Sequence, residues 1–276
     1  MKTIDTVVNA LVKSIQDNRD IIFKGMFEDI SSNASPIVES ETKNETPSMT
    51  YQNMGAVIIE AILQAGMNYE RAVKPRVTKF LKDYSEMKNT SEFLKLIKEG
   101  DLENVINWKG DKISRIIQLT EFLATEGLET EKDFSIWLKN DLNTLRLKNT
   151  KGIKDKTVDY LKILCGHKDT VAIDLHLMNF IKENTNLGID LSYTTARQIL
   201  ISTAERIQVR PADLDYGIWK YMSQRSREKP ARTTRTMARV VEKIGTCAKC
   251  FSQLDNKLYV FCPYCGEKIG LKEGDR

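Results

Sequence analysis

The feature that most constrains the fold is an almost uninterrupted series of helical patterns between Tyr51 and Gln224. Apolar residues recur there at three- and four-residue spacing, and several segments end at glycine, which readily closes a helix. The segments are AVIIEAILQAG, AVKPRVTKFLKDY, SEFLKLIKEG, KISRIIQLTEFLATEG, KDFSIWLKNDLNTLRL, KTVDYLKILCG, DLHLMNFIKEN and TTARQILISTAERI. The sequence therefore predicts an all-α domain.

With 276 residues, 41% of them hydrophobic, the chain can bury one substantial core and carry a small accessory module. Helical spacing of Val7, Leu11 and Ile15 predicts a helix that either packs onto the core or serves as a separate partner-binding helix. The predicted organisation is a helical segment over 1–30, a polar linker over 31–50, the main domain over 51–230, a basic connector over 231–244 and a cysteine module over 245–276. The basic run before this module is either a solvated connector or a phosphate-contacting segment.

The net charge of +4 and the pI of about 8.6 suit an acidic polymer as partner without requiring one. No stretch approaches the roughly 20 consecutive apolar residues of a membrane helix. The first residues, MKTIDTVVNALVKSIQDN, are broken by Asp5, Asn9 and Lys13 where a signal peptide needs an apolar centre. We therefore expect a cytoplasmic protein, associated with the nucleoid if its partner is DNA, and no membrane partner.

The most informative segment is TKGIKDKTVDYLKILCGHKDTVAIDLHLMNF, residues 150–180. Gly152 and Ile153 predict a tight turn, after which a helix starts near Asp155 and ends at Gly166. A short apolar, strand-like run then leads into Asp174 and another amphipathic helix. The segment thus predicts two helices joined through a glycine hairpin, with a carboxylate beyond them.

This segment resembles the helix-hairpin-helix DNA glycosylase superfamily (HhH-GPD, endonuclease-III-like), whose pattern is a glycine hairpin, a helix opening with Lys-Thr, and an apolar run into Asp-x-His. The residues that agree are Gly152, Ile153, Lys156, Thr157, Asp174 and His176, and weaker agreement in helical pattern extends over about 51–225. The resemblance implies a mainly α, two-lobed helical fold. It also implies a base-excision glycosylase that acts on double-stranded DNA containing a damaged or modified base.

Physical reasons support a DNA-gripping role for the hairpin and a catalytic role for its lysine. A glycine turn lets the backbone approach a phosphate, and the amides of the next helix point positive charge at it. Lys151, Lys154 and Thr157 accompany Gly152 as candidate DNA-binding residues. A cation in the first turn of a helix, with lysines nearby, is expected to have a lowered pKa. Lys156 is therefore the candidate nucleophile, and its alternative role is a further phosphate contact.

One departure from the family's hairpin is Lys154, which stands where a second glycine is usual. Lysine adopts a positive φ less easily than glycine, so the approach of the backbone to DNA is expected to differ. Anchoring would then depend more on side-chain charge.

Asp174 precedes an amphipathic helix, which by itself predicts an N-cap. The resemblance implies a second role, because a carboxylate fixed at a helix start can stabilise the positive charge that develops on the sugar as the base leaves. His176 is interpreted as packing or a hydrogen bond near the site, and His167 has no functional indication.

Glycosylases of this type turn the target nucleotide out of the duplex and fill the gap with a side chain from a loop after an early helix. The corresponding segment here is ILQAGMNYERAVKP, in which the candidates are Gln64, Met67, Asn68, Tyr69 and Arg71. Capping and packing are alternative roles for each of them. Trp108, Trp137 and Trp219 could stack on a base, but the last two lie among apolar helical neighbours and are interpreted as core.

The last thirty residues contain Cys247, Cys250, Cys262 and Cys265 as two CxxC pairs separated by eleven residues. This spacing predicts a small β zinc ribbon in which four thiolates hold one structural Zn²⁺. Many endonuclease-III-like relatives carry an iron–sulfur cluster with wider cysteine spacings, which this chain lacks. The ribbon could contact DNA or a protein.

The resemblance implies a DNA glycosylase that is bifunctional with AP lyase activity, and we expect the protein to be a monomer. The alternatives are a non-catalytic DNA-binding or scaffold protein and a monofunctional glycosylase acting on foreign modified DNA. The pattern assigns no particular base.

Overall fold

The structure is a computed structural model that describes residues 4–23, 50–185 and 191–228, with side chains up to residue 225. The chain divides into two units after Glu228, and every described residue belongs to the first. The elements, in chain order, are α1 (Ile4–Asp17), α2 (Met54–Leu63), the π-helix π1 (Tyr69–Val73), α3 (Lys74–Asp83), α4 (Thr90–Glu99), α5 (Leu102–Val105), α6 (Asp111–Thr125), α7 (Glu131–Trp137), α8 (Asp141–Leu147), α9 (Asp155–Leu164), α10 (Leu175–Thr185), α11 (Tyr193–Arg206) and α12 (Pro211–Glu228).

The prediction of a mainly α fold is confirmed, and the described ranges contain no β-strand. Residues 171–173, whose composition resembles that of a strand, form a buried non-helical connection. The predicted β zinc ribbon, with Cys247, Cys250, Cys262 and Cys265, lies outside the described residues. Within the described part of the chain, no helix is long and apolar enough to cross a membrane.

The first lobe is built around α2, whose ten residues are all buried. Asn53 caps this helix by accepting a hydrogen bond from the Ala56 amide at 2.9 Å, and the Asn53 amide donates in turn to the Glu131 carboxylate at 2.9 Å. Helices α3, α6 and α9 pack against α2. The resulting core extends from Met54 to Cys165 along the chain.

The second lobe has its own apolar core, formed by α10, α11, α12 and the N-terminal helix. Val8 and Leu11 of α1 are fully buried in it, and α1 contacts both α10 and α11. Arg206 on α11 also pairs with Asp5 on α1. The N-terminal helix is therefore part of the folded body, which resolves one of the alternatives left open by the sequence.

Candidate active site

The hairpin between α8 and α9 has the glycine-dependent geometry that the sequence predicts. Gly152 has a φ of +85°, a conformation that glycine adopts readily and other residues rarely do. Ile153 is fully buried beneath the turn, and its amide donates to the Thr150 carbonyl at 3.1 Å. Lys151 and Lys154 are exposed on the hairpin. This arrangement presents a short loop of backbone and two cationic side chains at the surface.

Lys154 is the residue before α9, and it has a φ of −128° with no side-chain capping hydrogen bond. The position is extended, so a glycine is not required there. The expected distortion from the missing second glycine is therefore wrong for this structure, because only Gly152 needs a positive φ in the turn. The first amides of α9 have no side-chain cap and retain their capacity to bind an anion.

Arg115 on α6 lies directly against the hairpin. A Cβ atom at Gly152 would stand 2.7 Å from Arg115 Cδ and 3.1 Å from its Nε. The Nε atom is buried and has no hydrogen-bond partner in the structure. The sequence gives no sign of this contact, because Arg115 lies 37 positions earlier in an ordinary amphipathic helix. It adds a third cationic side chain to the hairpin surface.

Lys156 lies in the first turn of α9 and is half-buried. Its Nζ donates a hydrogen bond to Gln64 Oε1, at the end of α2, over 3.0 Å. Burial lowers the pKa of Lys156, and the negative charges of Asp174 and Asp215 partly oppose that shift. The direction agrees with the sequence prediction but the cause differs, since desolvation rather than the neighbouring lysines dominates.

Two carboxylates act on this amine from the second lobe. Asp174 precedes α10, and its Oδ1 accepts the Leu177 amide at 3.0 Å, which confirms the predicted capping contact. Asp215 on α12 accepts the Ala172 amide at 2.6 Å, which ties α12 to the connection leading into Asp174. Burial raises the pKa of Asp215 to about 7, and the charge of Asp174 raises it further while Lys156 opposes it. The site therefore combines one half-buried amine with two carboxylates, each of which accepts a backbone amide.

A buried polar cluster lies one helical turn behind the amine. Glu60 is 2% exposed and accepts hydrogen bonds from three tyrosines: from Tyr160 at 2.5 Å, from Tyr69 at 3.5 Å and from Tyr51. Burial raises the pKa of Glu60, while the tyrosine hydrogen bonds oppose that shift. Because the carboxyl group has several partners, the cluster fixes α2 and α9 against each other.

The end of α2 is held by a second lysine. Lys112 Nζ donates to the carbonyls of Ile62 at 3.1 Å, Leu63 at 2.6 Å and Ala65 at 2.6 Å. These are the carbonyls that a helix leaves unsatisfied at its C-terminal end. Burial lowers the pKa of Lys112 to about 8, and the charges of Arg115 and Lys156 lower it further. The segment that carries Gln64 is thus anchored independently of the Lys156 contact.

Aromatic side chains join the lobes beside the site. Tyr69 packs edge-on against Trp219, with ring centroids 5.7 Å apart, and Trp219 stacks on Tyr216 at 6.1 Å. Trp219 is half-buried and packs against the second core, as its apolar neighbours in the sequence suggested, and part of its surface stays accessible. The cluster lies one turn along α12 from Asp215 and offers flat apolar surface near the ionisable groups.

The remaining predicted contact residues have separate locations. Asn68 is exposed and caps π1 by accepting the Arg71 amide at 3.0 Å, and the Arg71 side chain is exposed. Met67 packs on the first core. Thr157 is 6% exposed, so its side chain is not available to DNA here, and only its backbone lies at the helix start. Its burial follows from the helical periodicity of α9, because Thr157 lies on the same helix face as the buried Leu161 and Leu164.

The other aromatic and histidine residues considered in the sequence have contacts of their own. Trp137 packs against Phe122 and Phe134, and Arg76 lies over the Trp108 ring at 5.1 Å. His167 Nε2 lies 3.0 Å from the Ser135 carbonyl oxygen. His176 is half-buried and lies two positions after Asp174 in the sequence.

No group of three or more potential metal ligands occurs within the described ranges.

Four residues of the site were not predicted from the sequence: Glu60, Lys112, Arg115 and Asp215. Glu60 had a signal, because it is the single charge in the apolar run GAVIIEAIL, and a buried charge needs partners. Asp215 had none, since acidic residues near the start of a helix are ordinary. Its importance arises from the tertiary contact with Ala172.

The described site is thus a half-buried amine with two carboxylates on an α-helical scaffold, beside a cationic hairpin. The chain belongs to the family whose model is described as "Domain of unknown function (DUF8548)", which matches residues 30–223. No curated protein matches the sequence.

Among solved structures, the chain is similar to the crystal structure of the 8-oxoguanine DNA glycosylase of Thermotoga maritima. The TM-score is 0.45 and the sequence identity 15%, over 79% of this chain and 96% of that one.

Proposed function

We propose that this protein is a DNA glycosylase that excises a modified base from duplex DNA, with Lys156 as the nucleophile and AP lyase activity as a consequence. The observation that carries the proposal is the half-buried Lys156 amine, whose pKa burial lowers and on which two carboxylates act. Lysine amines of this kind react with sugar and carbonyl carbons because a larger fraction is unprotonated at neutral pH. The adjacent hairpin supplies the means of holding DNA.

DNA anchoring rests on the hairpin and its surroundings. The turn at Gly152 and the free amides at the start of α9 suit one phosphate, and Lys151, Lys154 and Arg115 add cationic side chains. Asn68 and Arg71, exposed at π1, are proposed to contact the duplex around the extruded nucleotide. Contacts of this type position a duplex without reading its sequence.

The first chemical step is substitution at C1′ of the extruded nucleotide. The Lys156 nitrogen donates its lone pair to C1′ while the bond from C1′ to the base breaks. The base departs with that electron pair and takes up a proton. Asp174, fixed by the Leu177 amide, stabilises the positive charge that develops on the sugar.

The second stage opens the sugar. The new C1′–N ammonium loses a proton to the Asp215 carboxylate, whose raised pKa of about 7 lets it accept and return protons near neutrality. The nitrogen lone pair then forms C1′=N as the C1′–O4′ bond breaks, and O4′ takes up a proton. Loss of a C2′ proton expels the 3′ phosphate, and water hydrolyses the Schiff base to restore Lys156.

Borohydride reduction tests the proposal, because hydride converts the C1′=N bond to a stable secondary amine. Wild-type protein and Lys156→Gln are incubated with duplexes that each carry one modified base, and with a duplex that carries an abasic site. We expect a covalent complex with the wild type and none with the variant. Lys139→Gln is the matched control, since it removes an exposed cation outside the hairpin and should retain trapping.

Other outcomes identify the alternatives. Base release without trapping, abolished by Asp174→Asn, would indicate a monofunctional glycosylase and exclude the lyase step. Equal DNA binding by wild type and Lys156→Gln, with neither trapping nor base release on any duplex, would indicate a non-catalytic DNA-binding protein. The panel of duplexes also identifies the base that is excised. Excision of a damaged base would indicate repair, whereas excision of a modified base typical of foreign DNA would indicate defence, and duplexes with unmodified bases are the control.

A further inference from the structure

We propose that Gln64 is a positioning residue for Lys156. The Gln64 carboxamide oxygen holds the Lys156 amine through one N–H, so that the lone pair of the amine is directed toward the substrate. This inference deepens the proposed function and rests on it. It gives Gln64 a role different from the gap-filling one that the sequence suggested. In the described structure Gln64 contacts the nucleophile itself, across 92 positions of sequence.

The contact belongs to a pair of cross-links between α2 and α9. Gln64 accepts from Lys156 at 3.0 Å, and one turn away Glu60 accepts from Tyr160 at 2.5 Å. The numbering runs in opposite directions along the two helices, so these residues form successive rungs between antiparallel helices. The Glu60 rung is buried and fixes the helix separation. The Gln64 rung is at the edge and holds the reactive group.

The support behind Gln64 is rigid without Lys156. Lys112 binds the carbonyls of Ile62, Leu63 and Ala65, which flank Gln64 on both sides. The Gln64 amide also donates to the Glu60 carbonyl at 3.0 Å. An acceptor on such a fixed segment can orient a flexible lysine side chain, which otherwise has many rotamers.

Glutamine has two chemical properties that suit this task. An unprotonated amine that donates one N–H to Gln64 Oε1 must turn its lone pair away from that oxygen. Because the carboxamide is neutral, it holds the amine without the strong stabilisation of the ammonium form that a carboxylate would bring. The Gln64 Nε2 atom is buried and has no hydrogen-bond partner. A buried amide group without a hydrogen-bond partner destabilises the folded state. An apolar side chain would avoid this loss of stability, so the presence of glutamine at position 64 indicates a functional role.

The experiment measures borohydride trapping on a duplex with a single abasic site, under single turnover and from pH 5 to 10. The abasic site has no base, so base recognition does not enter. Full-length wild type is compared with Gln64→Glu, Gln64→Met and Gln118→Glu. The last variant is the control, because it adds the same charge at an exposed position of α6.

We expect Gln64→Glu to move the pH profile upward by about one unit, so that the rate at pH 7 falls about tenfold and recovers at high pH. Gln64→Met is expected to trap more slowly at every pH, without an upward shift, while its thermal unfolding stays close to wild type. Gln118→Glu should match the wild type.

If the wild type forms the trapped complex and both Gln64 variants keep its rate and its pH profile, the positioning role is overturned and the proposed function stands. A slower Gln64→Glu with an unchanged pH profile would also overturn it. A wild type that does not trap on any duplex would instead overturn the proposed function.

Discussion

At the scale of single residues, burial is the largest cause of the pKa shifts of Lys156 and Asp215. It lowers the pKa of Lys156 and raises that of Asp215, so both shifts favour the uncharged form. Sequence predicted the direction for Lys156 from its place in a helix. It could not predict Asp215, because the burial of that carboxylate depends on how α12 meets the segment 171–174.

Because burial raises the pKa of Asp215, replacing this carboxylate with a neutral side chain is expected to increase the free energy of unfolding. Its folded pKa of about 7 exceeds the ordinary value of 3.8, so the unfolded chain releases this proton first as the pH rises. The carboxyl group therefore costs stability progressively between about pH 4 and pH 7, and the cost is complete above pH 7. Asp215→Asn, whose side-chain carbonyl can still accept the Ala172 amide, should be more stable than wild type at pH 8 by about 1 kcal/mol or more.

Denaturant unfolding at pH 4, 6 and 8 checks this prediction. The difference between Asp215→Asn and wild type should grow with pH, while the exposed control Asp20→Asn should show no such trend. A variant that is destabilised equally at all three pH values would contradict the account of Asp215. We also expect the variant to form the trapped complex more slowly, because the Asp215 carboxylate is proposed to accept the proton of the C1′–N ammonium after the base has left.

At the scale of elements, the hairpin and α9 are the part that the sequence described best. The helix starts at Asp155 and is followed by Gly166 with a φ of +89°, as the turn signals predict. The π-helix π1 was not predicted, because one extra residue in a turn leaves no clear periodic trace. Nor was the contact of Arg115 with Gly152, since no local pattern encodes contacts between distant helices.

The hairpin predicts a specific effect of Gly152→Ala. The substitution forces a positive φ on alanine and brings its Cβ to 2.7 Å from Arg115 Cδ, so Arg115 must move. We expect a loss of about 1 kcal/mol or more in unfolding free energy, together with weaker binding to undamaged duplex DNA. Fluorescence anisotropy at fixed salt measures the binding.

Gly127→Ala is the matched control, because its φ of +70° imposes similar strain while no atom lies within 4 Å of the added Cβ. This variant should lose stability but keep the DNA affinity of the wild type. Equal affinities for Gly152→Ala and Gly127→Ala would contradict the role of the hairpin in DNA binding.

At the scale of the whole molecule, two lobes with separate cores meet at the site. Lys156 and Gln64 come from the first lobe, whereas Asp174 and Asp215 come from the second. Sequence pattern predicted the helical class and the resemblance implied two lobes. It could not assign α1 to the second lobe, because the partners of Leu11 lie more than 150 positions away.

The cysteine module gives a prediction that depends on spacing alone. We propose that Cys247, Cys250, Cys262 and Cys265 bind one Zn²⁺, and elemental analysis of the full chain should find about one equivalent. Cys262→Ser should lower the zinc content, whereas Cys165→Ala, which removes a buried free thiol outside this set, should retain it. Iron in place of zinc, or retention of full zinc by Cys262→Ser, would contradict the assignment.

The position of the covalent bond between protein and sugar shows whether Lys156 is the nucleophile. Wild-type protein is incubated with a duplex that carries either an abasic site or a modified base that the protein excises, and the complex is reduced with borohydride. The product is digested with protease and nuclease and analysed by mass spectrometry. If Lys156 is the nucleophile, the peptide that contains it is expected to carry a sugar remnant attached at its Nζ. An adduct on another lysine, or the absence of any adduct while the base is released, would contradict this role of Lys156.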